Sequence, residues 1–265
     1  MPNSIRLVSV ILPTYNEAGN IIPLIEAIDR VIALPHEIIV VDDNSPDGTS
    51  RLTQELIDSK RIPGLRLETR TSDRGLTQSI WRGIQLARGD TIVWMDCDFS
   101  HPPAIIPLLL QQVAEGYAIA VASRFVPGGK QKSLTIESGD SRLGIVISSL
   151  GCFVMRYLLF PSFLDYTSGF IAIRREALEK IRLRGSHGEY FIDLIVRAKL
   201  LGMATIEIPF AYDMRRSGMS KTAPTLRLLV FRCFQYGWQV FRMQWVRLWH
   251  LCGWSIADTD ALPPL

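Results

Sequence analysis

The sequence predicts an α/β fold in which a mostly parallel, Rossmann-like sheet is flanked by helices. Two observations carry that expectation. Strand-like and helix-like runs alternate from RLVSVIL to TIVWMD, residues 6–96, the rhythm of βαβ units. Polar clusters then stand at three strand ends, as PTYNE (13–17), DDNSPDGT (42–49) and DCDFS (96–100). In doubly wound sheets, ligands bind in the crevice beyond the carboxyl ends of the strands. With 265 residues, 48% hydrophobic and 21% charged, the chain can bury a full core as one domain, or one domain with an appendage.

Element by element, RLVSVIL is the first strand and stops at PTYNE. AGNIIPLIEAIDRVI follows as a helix that Asn16 or Glu17 can open. EIIVVDD is the second strand, ending on Asp42 and Asp43. SPDG at 45–48 has type I turn chemistry, and Thr49 or Ser50 is the expected cap of the helix DGTSRLTQELIDSK. LRLETR and LTQSIWRGIQLA are the third strand and helix, and TIVWMD the fourth strand, bounded by Gly89 and Pro102. Extended chain points residues i and i+2 to one face, so Asp96 and Asp98 would project together and Cys97 away. Two readings of that pair stand side by side. The carboxylates hold a hard divalent cation against a diphosphate, or Asp98 or Ser100 caps a helix that begins at Pro102 or Pro103. His101 reads as a hydrogen-bonded loop residue, since hard cations prefer oxygen ligands.

Further on, residues 127–141 are rich in Gly, Ser and charge and read as a loop that closes over the substrates. LGIVISSLGCFVM, at 143–155, carries no charge but spans 13 residues, short of the about 20 needed to cross a bilayer. The aromatic stretch 226–254 carries Arg227, Arg232, Arg242 and Arg247, which suits a helix lying in the headgroup layer. Twenty-nine basic against 26 acidic residues give +3 and a pI near 8.7, too mild a balance to indicate nucleic acid. The four cysteines, at 97, 152, 233 and 252, form no close pair, so neither a disulfide framework nor a CxxC zinc site is expected. The apolar core of the first 17 residues is only VSVIL, too short for a signal peptide. A reducing, cytosolic location is the expectation.

At the strand-end rim, Tyr15 offers a stacking face and Glu17 an acceptor for a base or ribose. PTYNE, DDNSPDGT, the D-x-D of MDCDFSHPP, ASR at 122–124, DYTSGF at 165–170 and RRSGMSK at 215–221 resemble, in order, the motifs of the dolichyl- or polyprenyl-phosphate mannosyltransferases. These are inverting enzymes of glycosyltransferase family 2 with the GT-A fold. The resemblance runs over about residues 7–221. It implies nucleotide contacts at Pro13, Tyr15, Glu17, Val41 and Asp43, with Asp42 in support. It implies Mg²⁺ or Mn²⁺ and diphosphate contacts at Asp96, the backbone of Cys97, Asp98 and Ser100, and basic contacts at Arg124, Arg215 and Lys221. Asp98, Arg124, Arg215 and Lys221 would then carry the catalysis.

The same resemblance implies transfer of a sugar, mannose from GDP-mannose in the first instance, to a lipid phosphate at the cytoplasmic face of a membrane, where the enzyme would be peripheral. Residues 1–222 would form the catalytic domain, with an acceptor loop at 126–141 and an interface helix at 142–160, and residues 223–265 a membrane-associating segment. A lipid phosphate is already anionic, so no general base is required, and Asp193 is not assigned that role. Three departures from the family pattern, GLTQS at 75–79, Ser149 with Cys152, and Ile171, bear on the sugar and the acceptor. Two alternatives remain open here, a related transferase with another donor or a soluble acceptor, and a non-catalytic nucleotide-sugar-binding scaffold. Retention of both aspartates opposes the scaffold, because an unliganded carboxylate pair is an electrostatic burden.

Overall fold

The computed structural model describes residues 4–130, 142–212 and 226–256. Its first half follows the expected alternation: β1 (Val8–Thr14), α1 (Ile21–Val31), β2 (His36–Asp42), α2 (Thr49–Asp58), β3 (Leu65–Thr69), α3 (Leu76–Leu86) and β4 (Thr91–Trp94). A 3₁₀ turn, Pro103–Ile105, leads into α4 (Ile106–Ala114) and β5 (Ile119–Ser123). Then come α5 (Arg142–Leu158), β6 (Ile171–Arg174), α6 (Arg175–Lys180), α7 (Tyr190–Leu200), β7 (Thr205–Pro209) and α8 (Leu226–Leu251).

The seven strands form one sheet in the order β3-β2-β1-β4-β6-β5-β7. All neighbours are parallel except β6, which runs antiparallel to both β4 and β5. After β3 the chain crosses to the far side of β1 to lay down β4. The order therefore reverses beside β1, and the crevice opens at the carboxyl ends of β1, β2 and β4.

Period-two alternation divides the sheet's apolar residues between two layers. Ile11, Ile39, Val41, Ile92 and Trp94 face α3, α5, α7 and α8, whereas Val10, Leu12, Ile38, Val40 and Val93 face α1 and α4. Helix α1 fits its layer because Ile21, Leu24, Ile25 and Ile28 recur at helical spacing and are all buried. Helix α3 lies so close to β1 that a Cβ at Gly83 would collide with Ile11, so a glycine is needed there.

Helix α8 packs against α5 and α7. Its Val240, Met243 and Val246 join the same buried layer as Trp94 and Ile192. Its junction with α7 is polar as well. Asp193 accepts from Arg197 Nε at 2.8 Å and from Gln239 Nε2 at 3.3 Å, and Arg197 Nη1 reaches the carbonyl of Ile256 at 3.3 Å. Asp193 and Arg197 are 1% and 2% exposed, so this acid is sealed inside the α7–α8 junction. Removing one partner of a buried ion pair strands the other charge, at a cost of about 3–5 kcal/mol. Asp193→Ala should lower the unfolding free energy by about that amount in urea titrations, whereas a purely solvated acid would leave it unchanged.

Candidate active site

β4 ends at Trp94, so the D-x-D is not extended strand as the i, i+2 argument supposed. Residues 97–100 bend, and Phe99 has φ of +67°. Asn16 and Asn44, just past β1 and β2, are also left-handed, with φ of 56° and 57°. Asn tolerates that region; an aromatic residue there stores strain, which collects at functional sites. The bend still sends Cys97 inward, its thiol meeting the carbonyl of Pro13 at 3.4 Å. The capping alternative fails. The N-terminus of the 3₁₀ turn falls on Pro102 and has no side-chain cap, while Asp98 Oδ1 accepts from the backbone N–H of Ser100 at 2.9 Å.

Asp96 is half-buried, and its carboxylate takes no hydrogen bond or ion pair among the described residues. Its backbone N–H donates to His101 Nδ1 at 3.0 Å, which leaves the neutral ring's proton on Nε2. His101 stacks on Phe170 at 5.0 Å and meets Phe210 and Tyr212 edge-on. Burial holds its pKa below the ordinary value although Asp96 and Asp98 pull it upward, so it stays uncharged at neutral pH. It is wedged under the D-x-D, its Nδ1 taken by the backbone N–H of Asp96.

The β1 and β2 ends are knitted to each other. Asp42 is fully buried and accepts from Thr14 Oγ1, the N–H and hydroxyl of Ser45, and Ser50 Oγ at 2.5–2.8 Å. Asp42 therefore braces the rim from within the chain. Asp47, and not Thr49 or Ser50, organises the start of α2, accepting from Thr49 and from the backbone of Ala18. Asp43 accepts from Arg70 Nη1 at 3.1 Å and from Ser79 Oγ and the N–H of Gly75 at 2.7 Å. The departure GLTQS is thus the stretch that clamps Asp43. Above it, Tyr15 is 44% exposed, and Glu17 accepts from Asn20 at 2.8 Å. Val41 is fully buried beneath and presents no surface to a ligand.

Arg124, just past β5, makes a two-pronged ion pair with Asp165, Nε to Oδ2 at 2.8 Å and Nη2 to Oδ1 at 2.7 Å. Nη2 also reaches Thr167 Oγ1 at 2.7 Å, and no described residue accepts from Nη1. Burial works to raise the pKa of Asp165, but the charge and hydrogen bonds of Arg124 outweigh it and hold the carboxyl below the ordinary value. Both members lie within electrostatic reach of His101, which places the pair beside the D-x-D. Cys152 meets Thr167 at 3.3 Å behind Arg124, and Ile171 is core within β6. Arg215 and Lys221 lie outside the described residues, as does most of the expected acceptor loop.

A divalent cation fits the chemistry of this rim. Asp96 is an uncompensated carboxylate, Asp98 follows two residues later, and Ser100 Oγ is buried with no partner among the described residues. No group of three His, Cys, Asp or Glu side chains suited to a metal occurs among the described residues. An ion held by Asp96, Asp98 and Ser100 would complete its shell with water and phosphate oxygens, as Mg²⁺ does.

The sequence profile of glycosyl transferase family 2 matches residues 9–182. The chain belongs to this family. A dolichol-phosphate mannosyltransferase of Pyrococcus furiosus is 36% identical over 218 residues, 81% of this chain and 58% of its own length. The chain thus spans little more than half of that relative. The polyprenol monophosphomannose synthase of Mycolicibacterium smegmatis is 37% identical over 237 residues, 86% of each protein. A solved structure of glucosyl-3-phosphoglycerate synthase from Mycobacterium tuberculosis, with Mn²⁺, UDP and phosphoglyceric acid, superposes with a TM-score of 0.64 at 21% identity. It covers 94% of this chain and 80% of its own. The architecture is accordingly the GT-A fold expected.

In this family 2 chain the Arg124–Asp165 pair sets an acid limit on stability. A depressed carboxylate stabilises the fold fully above its unfolded value, near 3.8, and that contribution is lost as pH falls through the lower folded value. Unfolding free energy measured from pH 7 to 2 should therefore drop below about pH 4. In Asp165→Asn, stability should be lower at pH 7 and that part of the acid limb should disappear. An unchanged limb would exclude the pair as its source.

Proposed function

We propose that the chain is an inverting glycosyltransferase that moves mannose from GDP-mannose to a polyprenyl phosphate at the cytoplasmic face of a membrane, where it is peripheral. Kinship carries the reading: relatives named for mannosyl transfer to dolichol or polyprenol phosphate align over more than four-fifths of the chain at 36–37% identity. The donor's base and ribose would lie over Tyr15, beside Glu17 and the clamped Asp43. Asp96, Asp98 and Ser100 are the residues that would hold Mg²⁺ or Mn²⁺, whose charge offsets that building on the leaving diphosphate.

The acceptor's phosphate oxygen attacks the anomeric carbon from the face opposite the diphosphate, so the configuration inverts. Arg124 is prepared for such an anion: Asp165 fixes its plane and leaves Nη1 for a phosphate oxygen. Arg215 and Lys221 complete the cations that this reading requires. No base is needed, and Asp193, enclosed between α7 and α8, is in no position to serve as one.

A lipid acceptor accounts for the surface. Leu150, Phe153, Val154, Tyr157 and Leu158 of α5 are 44–60% exposed, and Phe231, Phe234, Trp238, Phe241 and Trp245 of α8 43–65%. No helix among the described residues is long and apolar enough to cross a membrane, and such stripes suit a helix lying in the interface.

Two experiments test the reading. Asp96→Ala and Asp98→Ala should each abolish transfer of labelled mannose in the presence of Mg²⁺ or Mn²⁺ while leaving thermal melting nearly unchanged. Normal turnover in either would end the metal-site assignment, and transfer from UDP-glucose or UDP-GlcNAc in place of GDP-mannose would reassign the donor. Separately, the protein should sediment with anionic liposomes and be released as salt rises, since each basic residue near the surface adds about 1 kcal/mol of attraction. Serine at Phe234, Trp238 and Phe241 together should abolish sedimentation without lowering the melting temperature. Full solubility of the unsubstituted protein beside liposomes would favour a soluble acceptor.

A further inference from the structure

The inward side of α8 carries a cation with few acceptors around it. Arg232 is half-buried and donates from Nη1 to Gln235 Oε1 at 2.8 Å, its one hydrogen bond among the described residues. Its Nε is buried without an acceptor, and no carboxylate pairs with it among the described residues. Of the helix's other arginines, Arg247 donates to the carbonyl of Leu158 at 2.6 Å and lies over Phe160, Arg227 is exposed, and Arg242, its Nε also buried, lies within electrostatic reach of Asp193. A guanidinium Nε withdrawn from water with no acceptor is an unfavourable arrangement unless a ligand completes it.

Contacts of α8 lead from that guanidinium toward the D-x-D. Gln235 Nε2 reaches Ser186 Oγ at 3.4 Å, and Tyr236 presses on Gly188 so closely that a Cβ there would collide with its hydroxyl. α8 therefore grips the 185–189 loop, which Thr77 of α3 holds from the other side through the carbonyl of His187 at 3.1 Å. The ring of His187 lies within electrostatic reach of both Arg232 and Asp96. Burial first, and Arg232 second, keep that ring below its ordinary pKa against the opposing pull of Glu189 and Asp96, so it is uncharged at neutral pH.

We infer that Arg232 binds a phosphate oxygen of the acceptor, so that the helix bearing the exposed aromatics also supplies a cation to the transfer site. The inference rests on the lipid-phosphate reading above. A guanidinium fork grips phosphate in two-point fashion where an ammonium cannot. The acceptor is favoured over the donor diphosphate by the helix itself. Phe231 and Phe234, at the same level of the helix, are 54% and 65% exposed, so a lipid chain lying against this end of α8 would carry its headgroup at the height of Arg232.

The test uses the full chain with detergent-dispersed polyprenyl phosphate, comparing the unsubstituted enzyme with Arg232→Met and Arg232→Lys. Initial rates are taken with acceptor and GDP-mannose varied in turn, and GDP binding and thermal melting are measured beside them. In Arg232→Met, KM for polyprenyl phosphate should rise about tenfold or more, as expected for a lost charge-assisted contact. KM for GDP-mannose, GDP affinity and melting temperature should stay as they were, and Arg232→Lys should recover part of the loss. An unchanged acceptor KM in Arg232→Met would overturn the inference while leaving the lipid-phosphate reading intact. A raised donor KM or weakened GDP binding would overturn it by moving Arg232 to the diphosphate. If Arg232→Met proves unfolded, the Lys variant decides: an acceptor KM equal to that of the unsubstituted enzyme overturns the two-point contact. No transfer to polyprenyl phosphate by the unsubstituted enzyme would overturn both this inference and the reading beneath it.

Discussion

A sheet covered on both faces can offer polar groups to a ligand only where its strands end, and this constraint organises the protein. Ile11, Ile39 and Val41 bury one face while Val10, Leu12 and Val40 bury the other, which leaves no flank of these strands available for chemistry. Because the order reverses beside β1, the ends of β1, β2 and β4 open onto one crevice. The carboxylates gathered there are a consequence of topology as much as of motif.

Crowding acids at one rim requires that most of them be neutralised or hydrogen-bonded, and the chain solves each case differently. Hydroxyls and an amide satisfy Asp42, Arg70 with Ser79 and Gly75 satisfy Asp43, and Arg124 meets Asp165 with both prongs. Asp96 has no such partner among the described residues, while its backbone is fixed from below by an uncharged histidine. The unmet charge therefore has a set position, the condition under which electrostatic stabilisation of a transition state costs little reorganisation.

Sequence patterns made the first four strands, the three helices between them and the three rim clusters legible, because local alternation and strand-end polarity are written in contiguous residues. The ends of α5 and α8 were legible for the same reason. What contiguous residues do not carry is partnership across the fold. Asp165 lies 41 residues from Arg124, Arg70 lies 27 from Asp43, and His101 becomes a wedge only once Phe170 and Phe210 meet it. The reversal of β6 was equally hidden, since an antiparallel strand buried on both faces reads like a parallel one. The i, i+2 argument for the D-x-D failed because β4 stops at Trp94, and it still gave the correct inward turn of Cys97 because a tight bend can reproduce alternation locally.

Helix α8 has two faces with different obligations. Val240, Met243 and Val246 complete the layer over Trp94 and Ile192, and Gln239 reaches Asp193 in the junction with α7, while Trp238, Phe241 and Trp245 look outward. One rigid rod serves both, so occupancy of the outer face and integrity of the inner one are thermodynamically linked. A surface that binds the outer face of the native state, and not the unfolded chain, raises the unfolding free energy by mass action. Were the proposed membrane surface to hold that face, detachment would thin the margin of stability, and local opening of the α7–α8 junction would weaken attachment.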